Sequence, residues 1–131
     1  MQNHNYFIGE VLKKNNLKIC CCECCTSGLI SSLLAKIPDS DKIFVGGIII
    51  NMKQMFDMKN YDTFLKNTMS TFSSDIIISS FYEQNNLTIT VLFEQKKYES
   101  VTELSSNDNN PESITIKCMV FLYDLLVKLN K

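Results

Sequence analysis

The residues best placed to do chemistry are Cys22-Glu23-Cys24-Cys25-Thr26-Ser27-Gly28, followed by Pro38-Asp39-Ser40 and Phe44-Val45-Gly46-Gly47. They sit where an apolar strand, Ile19 to Cys22, gives way to an amphipathic helix, Thr26 to Lys36. Such a turn leaves backbone N–H groups at a helix N-terminus, which suits an anion or a polar ligand. A thiol at that point, Cys24, is acidified by the helix end and is a strong nucleophile. Turnover also needs a group that moves protons. The single histidine, His4, falls in the N-terminal tail, so a Cys–His pair is not expected, and Lys53 is the only nearby candidate. The competing reading, packing or ligand contact without reaction, is favoured for Cys24. Glu23 is expected to hold the turn by accepting from backbone N–H groups. Thr26 and Ser27 read as helix caps first and ligand hydroxyls second.

Five of the six cysteines lie between Cys20 and Cys25, and Cys118 stands apart. Neighbours this crowded cannot pair with each other in ordinary geometry, so a disulfide framework is not expected. Overlapping Cys-x-x-Cys pairs, Cys21/Cys24 and Cys22/Cys25, invite zinc or redox readings. A strand, however, sends Cys20 and Cys22 to one face and Cys21 to the other, which scatters the ligands. Small buried residues of a central strand explain the cluster better, and no metal or other cofactor is expected. A reducing, cytoplasmic setting fits this cysteine usage.

The chain has 131 residues, 45% hydrophobic and 21% charged, with a net charge of −1. That composition describes one globular domain, 1–131, and gives no electrostatic case for nucleic acid or an anionic membrane. All 13 basic residues are lysines, so no planar fork exists for bidentate recognition of phosphate. The N-terminus lacks the apolar segment of a signal peptide, and apolar runs such as Ile48 to Ile50 are too short to span a bilayer.

Helical spacing marks Tyr6 to Asn16, with Phe7, Ile8, Val11 and Leu12 on one face. Leu17 to Cys22 reads as a buried strand. Leu29, Ile30, Leu33, Leu34 and Ile37 form the stripe of the next helix, which Pro38 stops. Lys42 to Ile50 is a second strand, where Gly46-Gly47 signals a bulge or a close backbone approach. Asn51 to Lys59 and Tyr61 to Phe72 read as separate helical pieces, and Met52, Met55, Met58 and Met69 as core fillers. Strands follow at Asp75 to Ser80, Leu87 to Phe93 and Tyr98 to Leu104, the last two as a hairpin. Asn110-Pro111-Glu112 starts a final helix burying Ile114, Cys118, Leu122, Leu125, Leu126 and Leu129. This order predicts a three-layer α/β/α sandwich with a mixed, mostly parallel sheet. Ligands of such sheets bind beyond the carboxyl ends of parallel strands, which gathers Cys24 to Gly28, the residues after Ile50 and those after Ile78 around one crevice.

These motifs resemble the C-terminal domain of the CinA family, the nicotinamide-nucleotide amidases. In that family a strand runs into Glu-Ser-Cys-Thr-Gly-Gly, then a helix, a Pro-Gly-Ser turn and a Phe-x-Gly-Gly strand ending in Tyr-Ser-Asn with a lysine nearby. Here Glu23-Cys24-Cys25-Thr26-Ser27-Gly28, Pro38-Asp39-Ser40 and Phe44-Val45-Gly46-Gly47-Ile48-Ile49-Ile50 stand for these parts. The resemblance is specific from about Ile8 to Ile50 and weaker beyond. It implies hydrolysis of the amide of a pyridine nucleotide such as nicotinamide mononucleotide, and family members assemble, so a homo-oligomer is a possible partner state.

The departures fall on the chemistry. The family's serine nucleophile corresponds to Cys24, its tyrosine to Asn51, its next serine and asparagine to Met52 and Lys53, and its assisting lysine to Phe56. The Thr-Gly-Ile-Ala-Gly-Pro loop expected after Ile78 is replaced by Ser79-Ser80-Phe81-Tyr82. The family's late arginines have no counterpart, and the stretch from Phe56 to Asp75 is shorter than the family norm. The expected catalytic residues are therefore Cys24 and Lys53, and the expected ligand contacts Glu23, Cys25, Thr26, Ser27, Gly28 and Asn51. The reading favoured is a divergent domain with weak or no amidase activity. An active Cys24 amidohydrolase and a non-catalytic nucleotide-binding or interaction module are the alternatives.

Overall fold

An apolar run as dense as Ile19 to Cys22 is stable only with both sides covered, and the fold is built around that requirement. A computed structural model describes residues 2–51 and 58–130. Strand β1 (Ile19–Glu23) lies between β2 (Phe44–Ile49) and β3 (Ile76–Glu83), parallel to both. β4 (Asn86–Phe93) and β5 (Lys96–Glu103) continue from β3 as an antiparallel meander, giving the order β2-β1-β3-β4-β5. Every strand but β4 therefore runs in one direction. Helices α1 (Gln2–Lys14), α2 (Leu29–Ala35) and α4 (Pro111–Leu129) cover one face, and α3 (Met58–Phe72) covers the other. The expected three-layer α/β/α arrangement with a mixed sheet is the one observed.

Strand alternation sorts the side chains as the sequence predicts. Ile19 and Cys21 join Ile8, Leu12, Ile30, Ile78 and Leu122 under α1, α2 and α4. Cys20 and Cys22 join Tyr61, Leu65, Ile77 and Phe81 under α3. β2 carries a bulge, because Ile19 pairs with Phe44 but Cys20 pairs with Gly46. Gly46 takes φ 146° there, and a Cβ on Gly47 would stand 2.6 Å from the Cys21 Sγ and 2.7 Å from the Ser31 Oγ. Both glycines thus do what their position in the strand suggests. Among the described residues no helix is long and apolar enough to cross a membrane.

The boundaries differ from the sequence reading in instructive ways. α1 begins at Gln2, which places His4 in the helix, with its ring 4.3 Å from Tyr123 of α4, rather than in a tail. α1 ends on Asn16 at φ 54°, with Asn16 N–H donating to Lys13 O and Leu17 N–H to Leu12 O. That pair of bonds is a Schellman closure with asparagine standing in for glycine. α2 starts at Leu29, not Thr26, because Ser27 (φ 56°) and Gly28 (φ 85°) are left-handed. α3 is one helix from Met58, so the break expected at Asn60 is absent; Met52 and Met55 lie outside the described residues. Asn110 caps α4 by accepting from Ser113 N–H at 2.8 Å, while Leu129, expected in the core, is 40% exposed.

β3 does not stop at Ser80. It pairs with β4 as far as Glu83↔Asn86. Two-residue turns, Gln84-Asn85 (φ 52° and 66°) and Glu94-Gln95 (φ 53° and 63°), close the two hairpins. Left-handed backbone at both central positions matches the twist of the strands but favours Asn and Gly. Glu94-Gln95 has neither, so this turn is strained by its sequence. Gln95→Gly should therefore raise unfolding stability by about 0.5–1 kcal/mol, the relieved left-handed cost less the extra freedom of glycine in the unfolded chain. A urea titration with unchanged slope and a higher midpoint would show it.

Candidate active site

Glu23, the last residue of β1, points under α2 with no solvent exposure. A buried carboxylate is tolerated only when its lone pairs are filled. Ile30 N–H donates to Glu23 Oε1 and Ser31 N–H to Glu23 Oε2, each at 2.9 Å. The Ser31 hydroxyl donates to Oε2 at 2.7 Å and the Thr26 hydroxyl to Oε1 at 2.5 Å. Gly28 occupies the N-cap position and has no side chain to offer, so Glu23 caps α2 from seven residues away. The first-turn N–H groups expected to face a ligand are thus already held by the protein's own anion. Thr26 supports that anion instead of capping the helix.

Each hydroxyl has a single proton, which fixes the direction of the network. Thr26 gives its proton to Glu23, so Ser80 Oγ donates to Thr26 Oγ1 at 3.0 Å. Ser31 likewise gives its proton to Glu23 and receives one from the Cys21 thiol at 3.0 Å. Burial pushes the Cys21 thiol up to about 12, so it stays protonated and able to donate.

On the opposite face of the sheet a second polar cluster surrounds Cys24. The residue is half-buried; its N–H donates to Ser80 O at 3.0 Å, and its Sγ lies 3.7 Å from the Tyr61 hydroxyl. The Tyr61 hydroxyl also makes a short contact with Ser79 Oγ, and its ring packs 5.1 Å from that of Phe81. The neighbouring Cys22 thiol lowers the Cys24 pKa, and the Tyr61 hydroxyl acts the same way, against the opposing effect of burial. Cys22 moves strongly upward in return, through the neighbouring Cys24 and its own burial. Tyr61 is raised by burial and by the thiols beside it. The arrangement sets a thiol of lowered pKa beside a phenol and a second thiol whose pKa values are raised.

The structure brings together the three segments expected around one crevice. Ile50 N–H donates to Glu23 O at 2.8 Å, which sets exposed Asn51 beside the bend, and Ser79 and Ser80 pair across from Cys22 and Glu23. Ser27 is exposed, Gly28 rests under Ile49, and Cys25 packs on the α1/α2/α4 side with its core cluster. Lys53 and Phe56, on which the proton-handling argument turns, lie outside the described residues, as does Met52. His4 is across the sheet from Cys24, on the α4 side. Four cavities lined by described residues lie elsewhere on the molecule. Among the described residues no three His, Cys, Asp or Glu side chains converge on a metal position. Tyr61 and Ser31 are neighbours of the site that the sequence reading missed.

With this geometry in place, the comparisons with known proteins are specific. Residues 1–59 match the family described as the CinA C-terminal domain. A CinA superfamily protein from Escherichia coli superimposes with a TM-score of 0.76 at 14% identity, covering 97% of this chain and 88% of that one. The competence damage-inducible protein A from Klebsiella pneumoniae gives 0.75 at 13% identity, covering 98% and 96%. The competence/damage inducible protein CihA from Agrobacterium tumefaciens gives 0.76 at 12%, covering 98% and 94%. No curated protein sequence matches. The first 59 residues are thus similar in sequence to the CinA C-terminal domain, and the chain as a whole shares the fold of these solved structures.

Two outcomes follow from the site. Glu23→Gln turns one acceptor into a donor facing N–H or O–H groups, and should cost about 2–3 kcal/mol by denaturant unfolding. Cys24 should be the first of the cysteines Cys20, Cys21, Cys22, Cys24 and Cys118 to react with iodoacetamide, because the other four are buried and raised. Only thiolate reacts, so the rate should rise with pH around a midpoint below that of an ordinary thiol. Tyr61→Phe removes a donor to the thiolate and should move that midpoint upward, read by mass spectrometry across a pH series.

Proposed function

We propose that this chain is a divergent CinA-family domain, related to the nicotinamide-nucleotide amidohydrolases, in which amide hydrolysis is weak or lost. The observation that carries the reading is the character of the groups beside Cys24: a phenol and a thiol, both displaced toward their protonated forms. Expelling ammonia from an amide requires a proton delivered to the leaving nitrogen and a base to activate water afterwards. Neither weak acid accepts a proton readily, and no described lysine or histidine is hydrogen-bonded to this cluster. The scaffold, by contrast, is intact, with Glu23 holding the bend and Asn51 beside it. A bend that keeps its supports while no described lysine or histidine joins the thiol suits a nucleotide-binding or interaction module.

A second reading rests on the half-exposed, acidified Cys24. In it the thiolate adds to the carboxamide carbon of nicotinamide mononucleotide, with N–H groups near Cys25 and Thr26 facing the oxyanion. Ammonia then leaves with a proton supplied by Lys53, and water releases the acid from the thioester.

Incubation with nicotinamide mononucleotide separates the two. The expected result is ammonia at the level of the protein-free blank, with any binding seen as a rise in melting temperature. Ammonia release that disappears in Cys24→Ala would overturn the first reading in favour of the second.

A further inference from the structure

The sheet has two outer strands, and they are not alike. β2 is interrupted by its bulge between Phe44 and Gly46, a feature that discourages edge-to-edge pairing. β5 has no such interruption: its register with β4 runs unbroken from Lys96 to Glu103, without bulge or proline. The Glu94-Gln95 turn has two residues, so the closing pair Phe93↔Lys96 exchanges both hydrogen bonds, and bonded and non-bonded pairs alternate from there. Lys96, Tyr98, Ser100 and Thr102 therefore direct their N–H and C=O groups toward β4. Lys97, Glu99, Val101 and Glu103 direct theirs outward, and among the described residues none of these groups is hydrogen-bonded. Val101, an apolar side chain, is 60% exposed beside them. On the α4 side a groove of about 320 Å³ opens from Ser100 and Thr102 toward Phe121 and the exposed Ile116.

We propose that β5 is a self-association surface: a second copy of this chain lays its own β5 antiparallel along the edge, joining two sheets into one. Strands paired in this way are related by a two-fold axis perpendicular to the sheet. The axis keeps each face of one sheet continuous with the same face of the other. Opposed residues must then share a face, so odd positions meet odd and even meet even. Charge selects among the registers that remain, because opposite charges directly opposed contribute and like charges cost. With the axis at Ser100, Lys97 faces the partner's Glu103, Tyr98 faces the partner's Thr102, Glu99 faces the partner's Val101, and residues 97–103 overlap. An axis at Glu99 sets that carboxylate against its own copy. An axis at Val101 sets Glu99 against the partner's Glu103 twice. An axis at Tyr98 again pairs Lys97 with an acid, the partner's Glu99, but only 96–100 overlap. The Ser100 register also makes 97↔103 and 99↔101 the hydrogen-bonded pairs, which uses the outward groups of all four odd positions. Glu99 enters it already neutralised by its own Lys97 at 3.3 Å, and the two Val101 side chains lie diagonally across the axis, within reach of each other. β3 and β4 stand between this edge and β1, so the inference is independent of Cys24 and of amide hydrolysis.

Sedimentation velocity on the reduced full chain, over a series of concentrations, should show a monomer–dimer equilibrium. Val101→Pro removes an outward N–H without touching the bonds to β4, and should leave a monomer. Glu103→Lys sets a cation against Lys97 at both ends of the interface and should weaken the dimer about tenfold, with an unchanged far-UV circular dichroism spectrum; it decides the matter if the proline variant does not fold. Ser100→Cys places two thiols opposite each other at the axis, in a non-hydrogen-bonded pair, where side chains come closest. Diamide should then give a covalent dimer in excess of the parent's, whose own six cysteines set the background. Glu99→Cys and Val101→Cys should give no such excess. A parent that stays monomeric throughout would overturn the assignment. So would a folded Val101→Pro or Glu103→Lys chain that dimerises as tightly as the parent, or excess cross-linking that is absent at 100 or found at 99 or 101.

Discussion

The carboxylate of Glu23 is the contact on which the rest of the site depends. It joins the end of β1 to the first turn of α2 through two backbone N–H groups and two hydroxyls. Buried charge is expensive unless every lone pair is used, so the strand and helix cannot separate without exposing an unpaired anion or unpaired N–H groups. The bend between them is dictated by this closure. Ser27 and Gly28 take left-handed backbone where the chain turns from β1 back into α2. The bend in turn fixes where Cys24 emerges. The same carboxylate removes the helix end from the set of surfaces available to an external anion, because it already fills that role from inside.

Two polar systems therefore lie back to back across β1. Cys21, Ser31, Glu23, Thr26 and Ser80 form a closed network centred on a charge, with every proton assigned. Cys24, Tyr61 and Ser79 form an open chain that starts from the half-buried thiol, with the buried Cys22 thiol beside it. The first is structural because nothing in it can change protonation or partner without leaving a buried group unsatisfied. The second can change, because Cys24 has an exposed side and its donors are mobile protons on hydroxyl and thiol groups. Strand alternation alone separates the rigid system from the reactive one.

Much of this was legible in the sequence. The apolar runs, the period of two through Cys20, Cys21 and Cys22, the glycines of β2 and the Asn110-Pro111 start of α4 each carry a local physical signal. The convergence of the Cys24, Asn51 and Ser79 regions followed from the rule that parallel strands present their carboxyl ends together. What failed to show was non-local. Thr26 looks like a cap because its type fits, but a residue three positions earlier in the chain does the capping from β1. Glu94-Gln95 gives no turn signal, since the usual Asn or Gly is missing, and the hairpin is imposed by the pairing of β3, β4 and β5. Tyr61 is an ordinary helical aromatic until tertiary packing sets its hydroxyl between Cys24 and Ser79.

The relation between fold and chemistry follows from the same division. Solved CinA superfamily structures share the whole architecture at 12–14% identity, so most positions on the scaffold have been replaced without altering its course. A scaffold tolerates this when its course is set by pattern and by a few internal contacts, here the buried central strand and its terminal carboxylate. Reactivity has no such latitude. A hydroxyl and a thiol occupy similar space at the end of β1, and either leaves the packing of β1 under α3 undisturbed. They differ in acidity, in nucleophilicity and in what they do when oxidised. Five thiols at the end of a strand therefore preserve the shape of the domain while redefining which reactions the half-buried Cys24 can enter.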